Sequence, residues 1–457
     1  MYIDLRLFAR AEYLVLCKTP FRLRRWAFVL FFTALFWLMW TVVAIGRALD
    51  HLLFPRFKRQ PVRQPVFIVA PPRTGSTLLQ KLLSQDEERF IYNALYQTIF
   101  PAVTFQRCFD ALRWLDRSLG GTFGRLVAWT EKKWFGGWDE MHKMRFNQPE
   151  EDDGLFVYTF LTEAIYLLFL NIDQLWEAGF QDALPPEKRR KVMRYYRSCL
   201  QRRLHVSGAG QTILTKATQS SGAVESLLEE FPDAKFITLV RDPHASVASH
   251  VSVFWRAWKT HSPELQKDGP ASKAYARLAV RWFQHLFAFR EKVSPAQYYC
   301  VDYRELVSDP RACIENLYRH FGWRMSERFR EKLTLANGTQ NGFQSNHKYS
   351  LEEFGLSREW IQEELGALID YYNLTDKPAR RMVRVPFAGN APARYVHKSE
   401  HDEEQTVTHH GGSYIRPGKT FDRNKERERD VAIACAQRNN AACAGFGATE
   451  EPAAHQR

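Results

Sequence analysis

The chain has 457 residues, of which 45% are hydrophobic and 14% aromatic, so it can bury a large core in one domain or two and reads as a packed protein. Its net charge of +13 asks for an anionic partner, with nucleic acid, a membrane surface and a phosphorylated cofactor as the candidates. The seven cysteines lack CxxC pairing and zinc-type spacing, which signals neither a metal site nor a disulfide framework and leaves them as free, buried thiols.

In chain order, the first element is "WAFVLFFTALFWLMWTVVAIG", Trp26 to Gly46, which carries no charge over 21 residues. That length suits a bilayer core of about 30 Å, and no small-residue cleavage site follows, so it reads as an uncleaved anchor. Lysines and arginines flank it on both sides, six before and five after, so charge bias does not set an orientation. The same flanks and the aromatic content suit a helix lying in the interface of an anionic membrane. A basic linker, "FPRFKRQPVRQP", leads into the first strand pattern, "VFIVA" at 66–70. Further strand patterns are "TILTKA" (212–217), "KFITLV" (235–240) and "YYCVDY" (298–303). Long helical patterns separate them, which predicts an α/β fold with a parallel sheet covered by helices.

An aromatic-rich insertion, about 90–205, lies between the first two of these strands and could wall an acceptor pocket. Within it the stretch "LFVYTFLTEAIYLLFL", 155–170, carries Glu163 and is short for a membrane span, so it reads as a buried helix. A last helical pattern ends near Leu374, after which residues 377–457 lose apolar periodicity and read as a disordered tail holding the pair His409 and His410. The domain boundaries expected from this are 1–64 for anchor and linker, 65–376 for the catalytic fold and 377–457 for the tail.

Two motifs carry chemistry. "VFIVAPPRTGSTLL", 66–79, is strand, tight turn and helix, and the backbone N–H groups of Thr74, Gly75, Ser76 and Thr77 would point at one spot at the positive end of a helix dipole. That is a phosphate site. A nucleotide-triphosphate loop would need glycine where Ala70 stands and lysine where Ser76 stands, and Arg73 supplies the positive charge from another position. The second motif, "RDPHASVASH", delivers Arg241 at the carboxyl end of a strand and Ser249 two turns into the following helix, where both could grip a phosphate.

Together these motifs resemble the signatures of the sulfotransferase family. "PPRTGSTLL" is similar to its 5′-phosphosulfate loop and "RDPHASVAS" to its 3′-phosphate motif. The likeness continues through "LTKATQSSGAVESLLEEFPDAKF", "VDYRELVSDPRACIENLYRHFGW" and "HKYSLEEFGL", spanning roughly residues 65–374. The resemblance implies a P-loop-like fold that takes 3′-phosphoadenosine-5′-phosphosulfate (PAPS) as donor and needs no metal. It assigns Arg73, Thr74, Gly75, Ser76 and Thr77 to the 5′-phosphosulfate, and Arg241 and Ser249 to the 3′-phosphate. The nearest likeness is to membrane-associated members with a "PEED" segment; the glycine-rich closing loop of cytosolic members is not evident, leaving "QNGFQSNHKY" (340–349) as a substitute.

An acceptor hydroxyl needs a base. Glu151 and Glu150 of "NQPEEDD" are the first candidates, with Asp152 and His142 beside them, although an acid-rich helix start would explain the same cluster. Lys216, at a strand end, would steady charge on the leaving phosphate. The acceptor is open between a lipid or other apolar alcohol, a carbohydrate and tyrosine, and the oligomeric state is open too. Basic residues spread through the whole chain argue against nucleic acid. The short linker favours a domain against a cytoplasmic membrane face over a Golgi lumen. A kinase-like phosphotransferase and an inert membrane scaffold that keeps the fold are the alternatives.

Overall fold

Five short strands meet at the centre of the protein because their residues are apolar on both faces, as a sheet covered on both sides requires. In the computed structural model these are β1 (Val66–Val69), β2 (Phe90–Ile91), β3 (Thr212–Lys216), β4 (Lys235–Val240) and β5 (Tyr298–Asp302). They lie in the order β2-β3-β1-β4-β5, every pair parallel, with Ile68 level with Lys216 on one side and Ile237 on the other. Val66 and Ile68 face one core with Leu214, Ile237 and Val301, while Phe67 and Val69 face a second with Ile213 and Phe236. The alternation of period two thus feeds both layers.

The structure describes residues 1–122, 124–125, 129–130, 146, 148–208, 210–217, 219–340 and 350–374. All belong to the unit Met1–Arg381. The expected tail, with His409 and His410, falls outside the described residues, as do His142 and residues 341–349 of the proposed closing stretch. The longer helices are α1 (Leu5–Tyr13), α2 (Leu23–Leu53), α3 (Ser76–Leu83), α4 (Val103–Ser118), α5 (Pro186–Ser207), α6 (Pro243–His261), α7 (Pro270–Phe289) and α8 (Arg358–Tyr371).

Three expectations need correction. The stretch 155–170 is buried as expected, but it forms no continuous helix: a short turn of helix at Asp153–Phe156 runs into tight turns at Val157–Thr159 and Glu163–Leu167. Phe160 takes a left-handed φ of 62°, and the Thr162 side chain caps a new turn through the Ala164 N–H, so the backbone restarts in mid-stretch. The strand β2 escaped notice because only two residues of it pair. Cys17 and Cys108 are exposed rather than buried, whereas Cys199 and Cys313 are buried free thiols.

Helix α2 is long and apolar enough to cross a membrane by length and composition. Its C-terminal half is fastened to the domain by charge. Asp50, fully buried, accepts from the Val103 N–H (3.0 Å), the Thr104 N–H and hydroxyl (both 2.8 Å) and Arg202 Nε (2.7 Å). Arg47 adds bonds to Pro101 O, Ser198 Oγ and Cys199 Sγ, each at 3.1 Å. Removing one partner of a buried ion pair leaves the other charge desolvated and alone. Asp50→Ala is therefore expected to destabilise the protein by about 3 to 5 kcal/mol in urea unfolding. A loss below about 1 kcal/mol would show that Arg202 is not held by this carboxylate.

Candidate active site

Parallel strands of one sheet deliver their loops to one edge, and here the carboxyl ends of β1, β3, β4 and β5 carry the turn 70–75, Lys216, Arg241 and Tyr303. After β1 the chain must reverse into α3 within six residues. It does so with Arg73 at φ 64° and Gly75 at φ 97°, so Gly75 becomes the residue preceding α3 in a left-handed conformation. Glycine is required there twice over: a Cβ on it would come within 2.6 Å of the Tyr303 ring. Having no side chain, Gly75 cannot cap α3, and the N–H groups of the first turn stay available to an anion. Thr74 is buried with its hydroxyl turned back to Pro71 O at 2.8 Å, so it contributes its backbone rather than its side chain.

Two arginines and a serine close on this turn. Arg73 Nε donates to Ser249 Oγ at 3.1 Å, and Arg241 donates to the Arg73 carbonyl at 2.9 Å while its guanidinium stacks 4.4 Å from the Tyr303 ring centre. Tyr303 thus supports both Gly75 and Arg241, a role that no spacing in the sequence announced. Asp242 caps α6 by accepting from the His244 N–H (3.0 Å) and ring Nδ1 (2.7 Å). Burial alone would raise its carboxyl, but the His244 bonds hold it below the ordinary value. Ser246 bonds back to Asp242 O at 3.0 Å, a helix contact that leaves Ser249 as the serine facing the turn. A cleft of about 480 Å³ opens outside this corner, lined by Asp242, His244, Arg358, Gln362, Ile369 and Leu374 among others, and its lining includes neither Arg73 nor Lys216.

On the other side of the turn, Lys216 is 2% exposed. Its ammonium donates to Thr77 Oγ1 at 2.8 Å and pairs with Glu151. The acidic segment reaches it because its backbone is stitched to the sheet: the Glu150 N–H goes to Asn93 O (3.0 Å), the Asp152 N–H to Lys216 O (2.8 Å), and Gln80 holds Glu150 O (3.1 Å). Within "PEEDD" the side chains then divide. Glu150 turns to the Glu151 N–H at 3.1 Å. Asp152 is fully buried, accepting from Asn93 Nδ2 (2.9 Å) and Tyr196 OH (2.6 Å), so it holds the segment down rather than facing a substrate. Asp153, unnoticed in the sequence, is hydrogen-bonded to Glu151; burial, then the charges of Glu151 and Glu163, raise its carboxyl well above the ordinary range. The bond to Glu151 and the burial both favour its protonated form. Glu163 in turn accepts from Tyr275 OH at 3.1 Å and lies 3.7 Å from His250 Nε2. No group of His, Cys, Asp or Glu able to hold a metal occurs among the described residues.

Residues 65–327 match the model of the sulfotransferase family. The chain belongs to that family, and it is a sulfotransferase enzyme. Among curated proteins it is similar to the omega-hydroxy-beta-dihydromenaquinone-9 sulfotransferase Stf3 of Mycobacterium bovis and of Mycobacterium tuberculosis, each 25% identical over 372 residues, 78% of this chain and 87% of theirs. Among solved structures, sulfotransferase STF9 from Mycobacterium avium superposes with a TM-score of 0.59 at 20% identity, covering 72% of this chain and 82% of that one. Sulfotransferase STF1 from Mycobacterium tuberculosis gives 0.55 at 20% identity, covering 72% and 83%. These two establish the shared fold.

The buried Asp152 makes a pH test. Burial raises its carboxyl from 3.8 to about 6, against the lowering effect of Tyr196 and Asn93. The folded chain therefore keeps a proton that the unfolded chain releases, so this group's contribution to stability is complete below the unfolded value and is lost as pH rises through the folded one. Between pH 5 and 7.5 the wild type is expected to lose about 1 kcal/mol more than Asp152→Asn in urea unfolding. A difference between the two proteins that stays flat with pH would contradict it.

Proposed function

We propose that this enzyme moves the sulfuryl group of PAPS to the hydroxyl of a lipid-like alcohol. The observation that carries the reading is the convergence, at one sheet edge, of an uncapped helix start at left-handed Gly75, the Arg73, Arg241 and Ser249 cluster, and the Lys216–Glu151 pair. The donor set fits a bis-phosphorylated nucleotide. Backbone N–H groups of residues 74–77 and the Arg73 guanidinium offer a cradle for the 5′-phosphosulfate, while Arg241 and Ser249 offer a fork and a hydroxyl to the 3′-phosphate. A sulfuryl group carries one negative charge fewer than a phosphoryl group, so cationic side chains and backbone donors can offset what a triphosphate needs a metal to neutralise.

In this reading Glu151 takes the proton of the acceptor hydroxyl as that oxygen bonds to sulfur and the bond from sulfur to the phosphate oxygen breaks. Asp153, hydrogen-bonded to Glu151, and Lys216, paired with it, aim its carboxylate. Lys216, already touching Thr77 of α3, lies where its remaining N–H can meet the charge growing on the leaving phosphate. The acceptor class is argued from the aromatic insertion beside the site, from α2, and from the relatives named for a menaquinone derivative.

The test is incubation with ³⁵S-labelled PAPS and an omega-hydroxylated menaquinone, a sterol, and glycan and tyrosine-peptide pools. Label is expected in the lipid fractions; label confined to glycan or peptide would overturn the lipid-like acceptor. Glu151→Gln is expected to lower kcat by roughly 10²- to 10⁴-fold with donor binding retained. Lys216→Ala should lower it by roughly 10²- to 10³-fold. An unchanged kcat in Glu151→Gln would remove that residue as the base.

A further inference from the structure

We propose that α2 does not cross a bilayer but lies along its surface, seating one flank of the catalytic domain on an anionic phospholipid membrane. The two faces of the helix differ most at its two ends. Arg25 and Val29 at one end and Val43, Gly46, Arg47 and Asp50 at the other are buried on one face; between them Phe36, Met39 and Trp40 of the same face pack partly against the core and Phe32 stays exposed. Leu30, Phe31, Leu38, Ile45 and Leu49 stand on the opposite face with Leu35 at its flank, all between 38% and 63% exposed. Both ends of the inner face are tied to the same domain. Arg25 donates to Ser262 Oγ at 2.7 Å and pairs with Glu264 just beyond α6, while Arg47 and Asp50 bond to residues of α4 and α5 and to Pro101.

Arg25 and Arg47 are separated by about 33 Å along a helix rising 1.5 Å per residue, which is about the full thickness of a bilayer core. A crossing helix would carry these contacts to opposite membrane surfaces and draw the intervening domain surface into hydrocarbon. It would also place the bond from Thr33 to the Glu12 carboxylate, and the Arg10–Glu177 pair of α1, at lipid depth. The N-terminus itself returns to the domain, with the Asp4 N–H on Thr159 O at 2.9 Å and Phe8 packed between Phe36, Trp37 and Phe160.

Lying flat removes these conflicts. The outer stripe then enters the boundary between headgroups and acyl chains, and the exposed cations at both ends of α2, Arg24 in its first turn and Arg56, Lys58, Arg59 and Arg63 after it, all reach anionic headgroups at one surface. Cations at both ends, which gave a spanning helix no preferred orientation, are what an in-plane helix needs.

Flotation of the full chain with phosphatidylcholine vesicles, with and without one third phosphatidylglycerol, tests the seating. Binding is expected to be stronger to the anionic vesicles, and Leu35→Glu with Leu38→Glu should weaken it at least tenfold while circular dichroism and Tm stay at wild-type values. Protease treatment of sealed membrane vesicles carrying tags at Met1 and Arg457 should cut both tags or neither. Cleavage of one tag only, vesicle binding by the double variant equal to wild type, or a dimer that the double variant breaks with no vesicle binding would each overturn the proposal.

Discussion

A lysine ammonium held 2% exposed at a sheet edge is costly to bury without partners, and the Lys216 pairing with Glu151 and Thr77 is the constraint around which the site is arranged. Those partners come from places far apart in sequence. Thr77 stands in the first turn of α3, so Lys216 fixes that turn relative to β3. Glu151 arrives on a segment that has no strand of its own and is tied by backbone bonds to Asn93 and to Lys216 itself. Asp152 anchors the same segment from beneath, at the cost of a carboxyl buried against Tyr196 and Asn93.

The consequence is a site divided by charge. Arg73, Arg241 and the uncapped start of α3 gather positive potential on one side, while Glu151, Asp153 and Glu163 gather carboxyls on the other. Lys216 stands at the boundary. The proposed transfer from an anionic donor to a neutral hydroxyl would use this order: cations where charge is held and released, a carboxylate where a proton leaves. The raised Asp153 carboxyl reflects how closely three carboxyls share this volume, since burial and the charges of Glu151 and Glu163 all disfavour its ionised form.

The parts of this arrangement built from local sequence were legible. Strand, turn and helix at 66–79 and strand plus arginine at 235–241 are short-range patterns, and each lies within a residue of its expected place. The lysine at the end of β3 was legible because its strand is otherwise apolar. What escaped depended on distant contacts. Nothing near Tyr303 says that its ring will lie under Gly75 and beneath Arg241, because only the parallel sheet brings residues 75, 241 and 303 to one edge. The stretch 155–170 misled for the reverse reason: its composition fits a helix, but its hydroxyls at Thr159 and Thr162 bind nearby backbone and break the run. The run Trp26 to Gly46 was legible as a helix long and apolar enough to cross a membrane, whereas Arg25, Arg47 and Asp50, which bind it to the domain, lie just outside it.

In the proposed function, the turn at Gly75, lacking a nucleotide-loop lysine, holds an adenosine bisphosphate through arginines and backbone donors. Isothermal calorimetry with adenosine 3′,5′-bisphosphate, with and without magnesium, addresses it directly. One-to-one binding is expected, insensitive to magnesium and at least tenfold tighter than that of adenosine 5′-phosphate, with that preference for the 3′-phosphate erased in Arg241→Ala. Magnesium-dependent binding of ATP in preference to the bisphosphate, or an unchanged preference in Arg241→Ala, would contradict it.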